Sequence, residues 1–96
     1  MDIAEWRKQI DELDRKLVEL LNQRATAAHA IGKLKRHTNM PIYEPDRERT
    51  VHQNMARANR GPLSDHDLTQ IFECIIGIMR QIQKEEILPD PKDRSS

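Results

Sequence analysis

With 96 residues the chain is one small domain, near the low end of what a single core stabilises. Three glycines and single copies of Trp, Tyr and Phe, beside 36% apolar and 33% charged residues, exclude both a turn-rich β fold and disorder, leaving an all-α protein. Sixteen Lys plus Arg balance sixteen Asp plus Glu, so the basic excess of a nucleic-acid binder is missing.

From Ile3 to Lys35 there is no proline, and the one glycine is Gly32. Apolar residues fall at 3, 6, 10, 13, 17 and 20, then at 27, 31 and 34, the steps of an amphipathic helix. Asp2 is the expected N-cap, and the helix must stop before Pro41, because a residue preceding proline avoids the α region. Such a helix would be about 50 Å long. A compact chain of this length has a diameter of roughly 30 to 35 Å. The overhanging apolar stripe therefore predicts a second copy of the chain, a homodimer.

A second helix is expected from Pro45, with Asp46 and Glu48 at the positive end of its dipole. Val51, Met55 and Ala58 form its stripe, and Gly61 and Pro62 end it. The third helix starts at Ser64, which pairs with Asp67 as a variant capping box. Its stripe runs through Leu68, Ile71, Phe72, Ile75, Met79 and Ile82, and Pro89 stops it. The domain is expected over residues 1–89, with a short polar tail at 90–96.

Cys74, the single cysteine, permits neither an internal disulfide nor a multi-cysteine metal site, and no two histidines stand three or four residues apart. No metal or cofactor is expected. There is no apolar run of about 18 residues, and the start "MDIAEWRKQ", charged from its second residue, lacks the pattern of a signal peptide. The expected compartment is the cytoplasm, with neither membrane nor nucleic acid as partner.

Polar residues at apolar positions carry the functional signal. Steps of seven from Ile3, Ile10 and Leu17 land on Arg24 before the series resumes at Ile31. Around it "RATAAHAIG" holds four alanines and a glycine, leaving room beside a half-buried cation. No acid stands between Glu19 and Glu44, while Arg24, Lys33, Lys35 and Arg36 do. Lys35 lies about 16 Å from Arg24 along the axis, on nearly the same face, so both can reach a small molecule between them. In a dimer of crossed long helices, Arg7 of one chain approaches Arg24 of the other.

Each residue also has a plainer reading. Arg24 can snorkel or set register at a helix seam, and Lys35 can be an ordinary solvated helix end. Gln83 can be a surface residue, and Met79 and Cys74 core. Spacing alone describes an anion-binding helical dimer with its chemistry open.

Over residues 3–88 the chain resembles the all-helical class of chorismate mutases. The resemblance is carried by "WRKQIDELDRKLVELLNQR", "IGKLK", "PIYEPDRE" and "IFECIIGIMRQIQ" in that order, with the proline-bounded "PDRE" the most specific piece. It implies an intertwined homodimer of three helices per chain that converts chorismate to prephenate. Arg7 would reach into the partner's site and, with Arg24, hold the substrate carboxylates. Lys35 and Gln83 would donate to the breaking ether oxygen, Glu48 would accept from the ring hydroxyl beside Glu44, and Arg47 would line the site. Met79 stands where some members carry Ser, so one polar contact to a carboxylate is missing or taken by backbone. Some relatives carry Glu at the position of Gln83 and must protonate it to donate.

Competing readings are an isochorismate pyruvate-lyase on the same scaffold and a regulatory module that binds another shikimate-pathway enzyme. A plain coiled coil is a third, but it leaves the alanine-rich gap around Arg24 unexplained. The retained set of Arg7, Arg24, Lys35, Glu48 and Gln83 favours catalysis.

Overall fold

The computed structural model describes residues 1–87 as three helices in chain order: α1 (Ile3–Thr38), α2 (Pro45–Ala58) and α3 (Asp65–Ile87). The expected stop at Pro89 and the polar tail at 90–96 lie outside the described residues.

Local chemistry sets the ends. The Asp2 carboxylate accepts from the Glu5 amide at 2.9 Å, capping α1 as its sequence implies. After the 36 residues of the helix, Asn39 takes the left-handed conformation (φ 56°), which asparagine tolerates better than most residues. Pro45 opens α2 at its first turn, where a missing N–H removes no helical bond. This helix ends at Ala58, ahead of the expected Gly61 stop, because the Asn59 side chain closes the turn. Its amide donates to the Leu63 carbonyl at 2.9 Å and to Asp65 Oδ1 at 2.8 Å, and its Oδ1 accepts from the Gly61 N–H at 2.9 Å. At φ 72°, Gly61 supplies the backbone angle that this turn needs. Ser64 Oγ caps α3 by accepting from the Asp67 amide at 3.1 Å.

Among the described residues α3 packs against both α1 and α2, which do not pack against each other. The buried residues of α1 are Ala28, Gly32 and Lys35, one position round from the expected 27, 31 and 34. Two helices meet closely only through small side chains, so α3 selects the Ala–Gly face. Ile31 and Leu34 stay 44% and 65% exposed. For the same reason Ile76 joins Met79 in the core of α3, while the expected Ile71 is exposed. In α2 Val51 is buried and Ala58 is not.

The first half of α1 overhangs this core. Its large apolar side chains from Ile3 to Leu20 are 53 to 68% exposed. The radius of gyration is 17.3 Å and the longest dimension 61 Å, against roughly 12 to 13 Å for the radius of a compact chain of this length. None of the described helices is long and apolar enough to cross a membrane.

Gly32 controls the approach of α1 to α3. A Cβ there would lie 2.9 Å from Glu86 Cβ, 3.0 Å from Gln83 Cα and 3.2 Å from the Gln83 carbonyl oxygen. Overpacking of this kind costs about 1 to 3 kcal/mol, and much of the obstacle here is backbone that cannot rotate away. Alanine's gain in helix propensity is at most about 1 kcal/mol. Gly32→Ala is expected to lower the denaturation midpoint at matched protein concentration; an unchanged or higher midpoint would show that the crossing is looser than the distances state.

Candidate functional site

Where α1, α3 and the segment leading into α2 converge they enclose a cleft of about 380 Å³, within the range of small-molecule sites. Arg24 and Lys35 enter from α1, Arg47 and Glu48 from the first turn of α2 with Glu44 just before it, and Met79, Arg80 and Gln83 from α3.

Lys35 is the one buried charged residue among those described, with 5% exposure. Gly32 draws α3 in, and Lys35, three residues on, faces Gln83 instead of water. Its ammonium donates to Gln83 Oε1 at 2.8 Å and to the Ile42 carbonyl at 3.3 Å, and pairs with Glu44 Oε1 at 2.6 Å. Two hydrogen bonds and one ion pair thus surround the ammonium, the kind of partners that a buried charge needs. The solvated helix-end reading of Lys35 does not survive this burial. Because an ammonium can only donate, the oxygen of the Gln83 amide must face Lys35. The amide NH₂ is left free, with no partner among the described residues.

Glu48 lies farther along the wall, bound by Arg80. The Arg80 Nη2 meets Glu48 Oε1 at 2.6 Å and Oε2 at 2.7 Å, with Nε at 3.2 Å from Oε2. The guanidinium carbon also sits 4.8 Å from the centre of the Tyr43 ring. Arg80 did not stand out in the sequence. The available signal was its place at i+4 from Ile76 and i−3 from Gln83, on the face that turns inward.

Arg24, half-buried, and Arg47, exposed, border the cleft and make no ion pair or hydrogen bond among the described residues. Asp46 and Arg49 pair with each other at 3.0 Å in solvent, outside the cleft, an arrangement that contributes little. Met79 is buried at 6% exposure and gives the wall an apolar patch. Arg7 is not in the cleft: it is exposed on α1, about 25 Å before Arg24 along the axis. The structure thus brings together seven of the eight residues singled out from the sequence.

Four cations face two carboxylates in this lining, an excess of two positive charges in a chain with no net charge. Such a cleft can hold a small dianion. Its deepest donors, a buried ammonium and an amide, suit an uncharged oxygen that gains charge during reaction. The described lining has no Ser, Thr, Cys or His. Among the described residues no group of three or more His, Cys, Asp or Glu could hold a metal ion.

The family model described as chorismate mutase type II matches residues 6–84. The bifunctional chorismate mutase/prephenate dehydratase of Aquifex aeolicus is 34% identical over 88 residues, covering 88% of this chain and 24% of that protein. The chain therefore spans about a quarter of that relative's length. Two solved structures share the fold. The chorismate mutase of Thermus thermophilus superposes with a TM-score of 0.83 at 27% identity, over 85% of this chain and 93% of that one. The chorismate mutase of Helicobacter pylori in complex with prephenate gives 0.81 at 28% identity, over 88% and 92%.

A charge kept buried for chemistry should contribute little to folding. Replacing a whole buried ion pair by apolar groups of similar volume is often neutral or stabilising, whereas removing one partner is costly when the other is left buried. Lys35→Met is expected to hold the urea midpoint or raise it, since Glu44 is 36% exposed and can turn to water. A loss above about 3 kcal/mol would mark Lys35 as a structural keystone instead.

Proposed function

The chain belongs to the chorismate mutase type II family, and on that premise we propose that it works as a homodimeric chorismate mutase, converting chorismate to prephenate on the shikimate route to phenylalanine and tyrosine. The observation that carries the reading is the buried Lys35 ammonium against Gln83, at the bottom of a cleft with two surplus positive charges.

The reaction is unimolecular: one ether C–O bond breaks as one C–C bond forms, with no net transfer of protons or electrons. Two tasks remain for the protein. It must hold the flexible enolpyruvyl arm over the ring, which removes the entropy of finding that geometry. It must also stabilise the negative charge that collects on the ether oxygen.

Arg24 and Arg7 of a second subunit bind the two carboxylates, and Arg47 closes the rim beside them. The ether oxygen replaces the Ile42 carbonyl as an acceptor of Lys35, since that 3.3 Å bond is the longer of its two hydrogen bonds. Gln83 adds its free NH₂ as a second donor to the same oxygen. Glu48 accepts from the ring hydroxyl, with Glu44 paired to Lys35 and aiming it. Met79 packs against the apolar part of the substrate and offers no polar contact.

The exposed stripe from Ile3 to Leu20 supports the second subunit, since a length of apolar surface like this is rarely left in water. With no helix fit to cross a membrane among the described residues, the cytoplasm is the compartment that we infer. Relatives that join a mutase to a prephenate dehydratase support a working association with an enzyme that consumes prephenate.

Incubation with chorismate, followed by its loss of absorbance, should yield prephenate. Lys35→Met should lower kcat by about 100- to 1000-fold, the usual effect of losing one donor to transition-state charge. Salicylate formed from isochorismate, with chorismate untouched, would assign a lyase instead. Gln83 has no ionisable group, so the rate should be flat between about pH 6 and 8. Gln83→Glu should turn that plateau into a rate that rises on acidification, because only the protonated acid donates. A steep acid rise in the unmodified protein would remove Gln83 as the ether donor.

A further inference from the structure

The reading above gives Arg80 no task, yet this side chain makes the most extensive ion pair at the site. We propose that Arg80 is a positioning residue that holds Glu48 in place and cancels its charge toward a dianionic substrate. The proposal rests on the mutase reading and adds to it a residue to which the sequence motifs assign no role.

Geometry is the first argument. Arg80 engages both oxygens of Glu48, at 2.6 and 2.7 Å from Nη2, with a further contact at 3.2 Å from Nε. A guanidinium fork of this kind fixes the plane of a carboxylate, not just its distance. Oε2 takes both the Nε and the Nη2 contacts, while Oε1 takes one and keeps a second lone pair, so Glu48 can accept a hydroxyl from the cleft on Oε1 while Arg80 holds it.

Position is the second. Arg80 borders the main cleft and also a second cleft of about 350 Å³ lined by Tyr43, Gly77 and Lys84. Only Arg80 and Ile42 line both. The Tyr43 ring, 4.8 Å from the guanidinium carbon, backs Arg80 and ties it to the segment preceding α2. Shortening Arg80 would remove the contacts that hold Glu48.

Charge is the third. A substrate with two carboxylates enters a cleft that already contains Glu48. Unpaired, that carboxylate would repel it; paired with Arg80, it presents an acceptor with little net charge. An ion pair that only fastens α2 to α3 would affect stability and leave the kinetic constants alone.

The experiment is a kinetic double-mutant cycle on the full chain with chorismate as substrate. Arg80→Met should raise KM on the order of tenfold, with kcat changed by less than about threefold, the mark of lost binding rather than lost chemistry. Arg80→Lys keeps the charge without the fork and should fall between, which keeps the idea testable if Arg80→Met folds poorly. Glu48→Gln should lower kcat/KM in the unmodified protein but raise it in the Arg80→Met background, where it removes the repelling charge. Arg80→Met and Arg80→Lys with unmoved KM and kcat, or a loss in Arg80→Met that Glu48→Gln does not relieve, overturns the proposal and leaves the mutase reading standing. No turnover of chorismate by the unmodified chain overturns both.

Discussion

At Gly32 the backbones of α1 and α3 come so close that a methyl group would meet Glu86 Cβ at 2.9 Å and Gln83 Cα at 3.0 Å. The rest of the site follows from this contact. One helical turn beyond it, Lys35 is buried and satisfies its charge inside, on Gln83, Glu44 and the Ile42 carbonyl. One turn before it, on the open side, His29 Nδ1 and Glu86 Oε1 clip the same crossing at 2.5 Å. Pro41 and Pro45 then turn the chain back over the crossing, so that the carboxylates of Glu44 and Glu48 close the cleft from above. A larger residue at position 32 would push against Glu86 and Gln83 and so loosen the contact of Lys35 with Gln83.

The electrostatics work by placement, because the chain as a whole has no net charge. Four of its cations line one cleft, and two carboxylates offset them in part. Glu44 and Glu48 serve different ends there. Glu44 makes a buried ammonium tolerable; Glu48 is an acceptor whose own charge is neutralised from behind by Arg80. Arg24 and Arg47 are left without partners among the described residues, open to anionic groups that arrive from solution. Such a cleft is suited to a reaction whose barrier lies in geometry and charge redistribution, with no covalent intermediate to form.

Much of this was legible in the residues. Proline placement gave the helix boundaries to within a few residues, and Arg24 among alanines marked the cleft. The apolar stripe of α1 at 27, 31 and 34 is not the face that α3 covers, which is 28, 32 and 35, and of these only Lys35 was read as inward, from its register with Arg24. Periodicity reports every apolar stripe alike, whether it meets a helix of the same chain or nothing within that chain. Here Ile31 and Leu34 continue the exposed stripe, while the small residues beside them make the contact within the chain. Arg80 was missed for a related reason. Its importance comes from Glu48, 32 residues earlier, and from Tyr43, and no local pattern joins the three. Asn59, in turn, stops α2 through side-chain bonds that a reading based on glycine and proline does not weigh.

Arg7 lies about 25 Å from Arg24 on the same helix, at the end whose apolar side chains are exposed. On the proposed reading, each cleft is completed when a second chain brings its own Arg7 to it. Arg7→Ala and Arg24→Ala homodimers should each be nearly inactive. Unfolded together and refolded as an equal mixture, half of the dimers combine the two variants, and each of these has one intact site of two. The account predicts recovery of roughly a quarter of the unmodified activity. A mixture no more active than its two components would contradict it, and with it the claim that the site is shared between subunits.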